Sequence, residues 1–134
     1  MGFNSLAGLP AFLIYFCVAG VLVTAYLFVY TWVTPHDEFA LLRANNPAAA
    51  LSLGLSVIGF ALPLTSSIGH SDGIVDMTIW GIVALAVQIA AYFMARIPMP
   101  DLSTRIANGE IAAAIWLGAA SVAAGMLNAA SMGA

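Results

Sequence analysis

Four long apolar stretches, Leu9 to Val33, Ala48 to Ile68, Ile74 to Ile97 and Ile111 to Met132, fill most of this 134-residue chain and constrain its fold more than any other feature. Each reaches the roughly 20 residues that a helix needs to cross the hydrocarbon core of a bilayer. Every backbone amide in hydrocarbon must bond internally, and the runs lack the alternation of apolar and polar residues that a barrel strand requires. Helices are the remaining solution. Composition agrees, because 63% of the residues are hydrophobic and 7% are charged, where a soluble domain carries about a quarter charged residues. The chain therefore reads as one all-α polytopic membrane domain over 1–134, with four transmembrane helices and no length left for a soluble module.

Three basic and six acidic residues cannot form a basic surface, which excludes nucleic acid as a partner. The single cysteine, Cys17, lies within the first run and is expected to act as a small core hydrophobe. No Lys or Arg precedes that run, and it is longer than a signal core, so it is expected to be retained as a helix.

The polar breaks carry helix punctuation. Thr34-Pro35-His36-Asp37 offers a cap residue, a proline suited to a first turn and a carboxylate, enough to start a short interfacial helix through Phe39, Leu42 and Arg43. His36, Asp37 and Glu38 read first as a solvated capping turn. Asn46 before Pro47 is expected to cap the second span, Asp72 the third, and Asn108, with Glu110, the fourth. Pro63 stands inside the second span and removes the bond to the carbonyl of Gly59, so a kink is expected, with Ser66, Ser67 or water compensating.

An internal repeat runs through the chain at an offset of 64. Asp37 and Asp101 stand 64 residues apart, and the same offset relates the seven residues Ala48 to Gly54 to Ala112 to Gly118, five of them identical. It also pairs Gly20 with Ala84, Thr24 with Gln88 and Phe28 with Tyr92. Two parallel two-helix repeats, about 9–68 and 74–132, are expected, related by a pseudo-twofold along the membrane normal.

Small residues fall on shared helix faces: Ala114, Gly118, Ser121 and Gly125 in the fourth span, and Ala50, Gly54 and Ala61 in the second. Such faces let backbones approach closely, and packing is the first reading. Leu117, beside Gly118, is expected to face lipid. The alternative is a narrow aqueous path lined by Thr24, Gln88 and Asn128. His70, Asp72 and Asp76 are of metal-binding type, but their loose spacing reads first as a cap and a solvated turn, so no metal and no cofactor is assigned. No nucleophile with a base at bonding distance and no phosphate loop is found, so the chain does not read as an enzyme.

Thr34-Pro35-His36-Asp37-Glu38, Asn45-Asn46, Ala48-Ala49-Ala50, Pro63-Leu64, the stretch from Trp80 to Gln88, Met99-Pro100-Asp101-Leu102-Ser103 and the stretch from Asn128 to Met132 together resemble the bacterial YjfL family, nearly end to end. The resemblance implies a small protein of the bacterial inner membrane with a membrane domain of unknown function. It also implies a membrane component of a larger, envelope-stress system. Ser131 stands where a relative has Cys, so thiol chemistry there is not carried over. The reading that follows is a non-enzymatic membrane subunit or scaffold, packing with itself as a homo-oligomer or with partner membrane proteins. The alternative is a small oligomeric channel or transporter for ions or small solutes.

Arg43, Arg96 and Arg105 all fall at one side of such a bundle, and the turn at His70 has no basic residue. The positive-inside rule puts the Arg-bearing loops in the cytoplasm and both termini outside. Trp32, Tyr30 and Tyr92 would then sit at the cytoplasmic interface. Reporter fusions after Arg43 and Arg105 should report a cytoplasmic location and one after Ala134 an external one; a cytoplasmic C-terminus would reverse the orientation.

Overall fold

The computed structural model describes residues 8–34, 38–70 and 73–132, the side chain at 70 excepted. The described residues form six helices: α1 (Leu9–Val33), α2 (Glu38–Arg43), α3 (Pro47–His70), α4 (Ile74–Ala95), α5 (Leu102–Ala107) and α6 (Ile111–Met132). The four long ones are apolar enough to cross a membrane. The two short ones precede α3 and α6 at the end of the bundle that carries the arginines.

Each short helix closes in the same way. Asn45 takes a left-handed backbone with φ 63°, and Gly109, 64 residues later, takes φ 82°. The amides of Asn45 and Asn46 then bond to the carbonyls of Leu42 and Leu41, and those of Gly109 and Glu110 to the carbonyls of Ile106 and Arg105. This is the Schellman closure, which needs one residue with positive φ. α3 follows at residue 47 and α6 at residue 111, again 64 apart.

Asn46 joins the two halves. Its Oδ1 accepts from the amides of Ala48 and Ala49 at 3.0 and 3.2 Å and caps α3. Its Nδ2 donates to the carbonyls of Ile106 and Ala107 at the end of α5, at 3.3 and 3.1 Å. At the opposite end of the bundle Ser66 Oγ donates to the carbonyl of Ala129 at 3.1 Å. α3 and α6 therefore run parallel and pack along their full length, the most extensive pairing in the protein. α4 lies across both, and α1 packs against α4 and α3.

Glycine sets the closeness of the α3–α6 crossing. A Cβ on Gly125 would run into the backbone of Gly59, one on Gly59 into the carbonyl of Ser121, and one on Gly118 into the side chain of Leu55. Leu117 is fully buried, not lipid-facing as its sequence context suggested, because this face of α6 is turned onto its neighbours. Cys17 is exposed on α1 and not a core residue, since α1 turns Leu22, Tyr26 and Tyr30 inward instead. Of the expected aromatic belt, Trp32 is exposed, while Tyr30 and Tyr92 are fully enclosed. They form a cluster with Tyr26 and Phe60, in which Tyr26 stacks on Phe60 at 4.6 Å and Tyr30 meets Tyr92 edge-on at 5.9 Å.

Gly125→Ala should lower thermal stability in mild detergent by about 1 to 3 kcal/mol, the usual cost of forcing volume into a tight contact. Gly54→Ala meets open space and should stay within about 0.5 kcal/mol of the parent. Equal losses at the two sites would show that α3 and α6 do not cross at Gly125.

Candidate functional site

The centre of the bundle is organised by a carbonyl with a missing partner. In a regular helix the amide of residue 63 would bond to the carbonyl of residue 59, and Pro63 has no amide hydrogen to give. α3 nonetheless continues through Pro63 to His70. The donor comes from another helix. Gln88 of α4 is fully buried, and its Nε2 donates to the carbonyl of Gly59 at 3.2 Å and to that of Ser121 in α6 at 3.1 Å. One amide thus ties three helices together. Ser66 and Ser67, the compensating donors expected from sequence, bond elsewhere, to Ala129 and to the carbonyl of Met77.

The other residues singled out in the sequence fall in different places. Ser121 is buried, with its Oγ, like Gln88 Oε1, enclosed and without a hydrogen-bond partner. Thr24 lies on the exposed side of α1, with its hydroxyl donating to the Gly20 carbonyl at 2.8 Å. Asn128 is half-buried with an enclosed, unpartnered Nδ2. Gln88 and Ser121 therefore meet, and Thr24 does not join them. Gly118 and Gly125 face α3, while Gly54 is exposed with nothing near it. Thr34 ends α1, its hydroxyl turned back onto the Tyr30 carbonyl at 3.0 Å. Asn108 occupies the C-terminal cap of α5. Asp72, His36, Asp37 and the side chain of His70 lie outside the described residues; Asp76 stands in the first turn of α4. Among the described residues no three potential ligands come together to hold a metal.

A second polar cluster lies at the arginine-bearing end. Glu38 is fully buried and not solvated as expected, because α2 turns this face into the bundle, as α5 does with Leu102. Tyr92 Oη and Ser103 Oγ share a hydrogen bond of 2.7 Å, and Arg96 lies 5.9 Å over the Tyr92 ring. Ser56 gives its proton to the Leu53 carbonyl at 2.8 Å, and the hydroxyls of Tyr26 and Tyr30 are enclosed. Sequence reasoning missed Glu38 as a buried group. A signal was available 64 residues further on, where Leu102, an apolar residue, stands in an equally buried position.

Both clusters tie neighbouring helices together. Gln88→Leu should cost about 1 kcal/mol, the worth of an interhelical hydrogen bond, held down because Oε1 is already unpartnered. Adding Pro63→Ala should recover most of that loss, since the new amide can take the Gly59 carbonyl. Thermal unfolding of the single and double variants is the measurement, and strict additivity would show that Gln88 does not serve this carbonyl.

The family model described as Domain of Unknown Function (DUF350) matches residues 4–132. The inner membrane protein YjfL (UPF0719) of Escherichia coli strain K12 is 38% identical over 127 residues, covering 95% of this chain and 96% of that one. The transmembrane protein YshE (UPF0719) of Bacillus subtilis strain 168 is 25% identical over 80 residues, 60% of each chain. No solved structure matches. With the matching family model covering nearly all of the four-helix bundle, the chain belongs to the DUF350 family and is a multi-pass protein of the inner membrane.

Proposed function

We propose that this protein is a non-enzymatic inner-membrane subunit that assembles with itself or with other membrane proteins. The observation that carries the reading is the placing of its glycines. Gly59, Gly118 and Gly125 are consumed by contacts within the bundle, whereas Gly20 and Gly54 stand on exposed helix faces, with no atom from beyond their own helical turn within 4 Å of where a Cβ would lie. Lipid tails flow around any helix surface and do not require flat faces; a second helix does. The buried amide of Gln88 supports the same reading, because it is engaged with two carbonyls at the helix crossing.

Size in mild detergent tests this directly. The parent should run as an oligomer or with copurifying membrane proteins, and Gly20→Leu with Gly54→Leu should shift it towards a monomer of unchanged melting temperature. A parent that is strictly monomeric and without any copurifying partner would overturn the reading. Vesicles holding the parent should be no leakier to small cations and anions than empty ones. A leak abolished by Gln88→Leu at constant oligomer size would favour permeation instead.

A further inference from the structure

The 64-residue offset matches α1 to α4, yet the two helices turn opposite faces inward. α4 buries Ala84, Gln88 and Tyr92 completely; their counterparts Gly20, Thr24 and Phe28 are exposed, Phe28 at 78%. In the other direction α1 buries Leu22, Tyr26 and Tyr30, and their counterparts Ala86, Ala90 and Met94 are exposed. The face of α1 that corresponds to the docking face of α4 is therefore uncovered. A groove of about 780 Å³ runs along it, lined by Cys17, Gly20, Thr24 and Phe28 among others.

The same mismatch holds for the surface on which α4 sits. Gly59, Pro63 and Ser67 of α3 are buried on the α4 side, and their counterparts on α6, Ala123, Leu127 and Ser131, are exposed. Leu55 covers Gly118, but its counterpart Ala119 is too short to cover Gly54 in return. The α3–α6 pair thus has two related sides, one occupied by α4 and one open. The chain's own α1 does not cover the open side, because it is packed on α4 and α3 with Tyr26 stacked on Phe60.

We infer that the exposed Gly20–Thr24–Phe28 face of α1 docks on the open Gly54–Ala119–Ala123 side of the α3–α6 pair of a second copy of this chain. This rests on the assembly reading above and on the internal repeat. The occupant is a second copy because the chain already contains the template: α4 makes the corresponding contact within each copy. Thr24 takes the place of Gln88 and needs no new partner, since its hydroxyl is bonded to the Gly20 carbonyl within its own helix. α1 and α4 cross the membrane in the same direction, so copies related by rotation about the membrane normal keep their helices aligned. The contact joins two different surfaces, which closes into a ring when the rotation permits.

The template fixes the pairs to test. Gln88 meets Gly59 and Ser121; the corresponding contacts between copies join Thr24 to Ala123 and to Val57. In a Cys17→Ser background, Thr24→Cys is placed on one tagged copy and Ala123→Cys or Val57→Cys on another, and native membranes holding both are oxidised with copper phenanthroline. Cross-linked heterodimers should form several-fold more than with Met94→Cys replacing Thr24→Cys. A second variant, Ala123→Trp, should shrink the assembly in mild detergent without moving the melting temperature of the monomer. Oligomers that persist with no cross-link above the Met94→Cys control, or with Ala123→Trp unaltered in size, overturn this interface and leave the assembly reading standing. A strict monomer overturns both.

Discussion

The carbonyl of Gly59 is the point on which the rest of the bundle depends. Pro63 deprives it of its helical donor in a setting where water cannot readily replace one, and Gln88 supplies the hydrogen from a different helix. The same amide reaches the Ser121 carbonyl, where α3 and α6 are in closest contact over Gly59 and Gly125. A defect in one helix is thereby made into a three-helix joint. The register of α4 against the α3–α6 pair follows from it, because the glutamine side chain reaches both carbonyls from one height only.

Small residues act in two ways in this fold, and sequence does not separate them. Gly118 and Gly54 occupy matching positions, in stretches that share five of seven residues. One lies beneath Leu55, and the other is open because the matching position holds Ala119. A single side-chain difference decides whether a glycine serves contacts within the chain or remains on its surface. The divergence between α1 and α4 is of the same kind. Tyr26 and Tyr30 carry aromatic bulk that stacks on Phe60 and meets Tyr92 edge-on, whereas Ala90 and Met94 at the matching positions face outward.

The arginine-bearing end shows how a buried carboxyl group can be hidden by its neighbours in sequence. Glu38 follows Pro35-His36-Asp37, a run that reads as a solvated turn, yet its side chain is fully enclosed. Helical geometry explains this. α2 is only six residues long, so one of its faces must lie against the bundle, and Glu38 falls on that face as Leu102 does on α5. Asn46 lies beside this end, capping α3 with its oxygen and closing α5 with its nitrogen.

The four spans, their helical character and the positions of the breaks were legible in the residues alone, because hydrocarbon permits few solutions to the hydrogen-bonding of a backbone. The sequence also located Pro63 as the source of an orphan carbonyl and singled out Gln88 as a polar residue within an apolar span. It could not join the two, since the donor lies on another helix and only packing brings Gln88 to Gly59. Nor could it tell which faces turn inward: the long helices are apolar nearly all round, so periodicity carries little directional signal. The facing of Leu117, Cys17, Gly54 and Glu38 emerges only from packing, because steric fit between helices, and not hydrophobicity, sorts residues once the solvent is itself apolar.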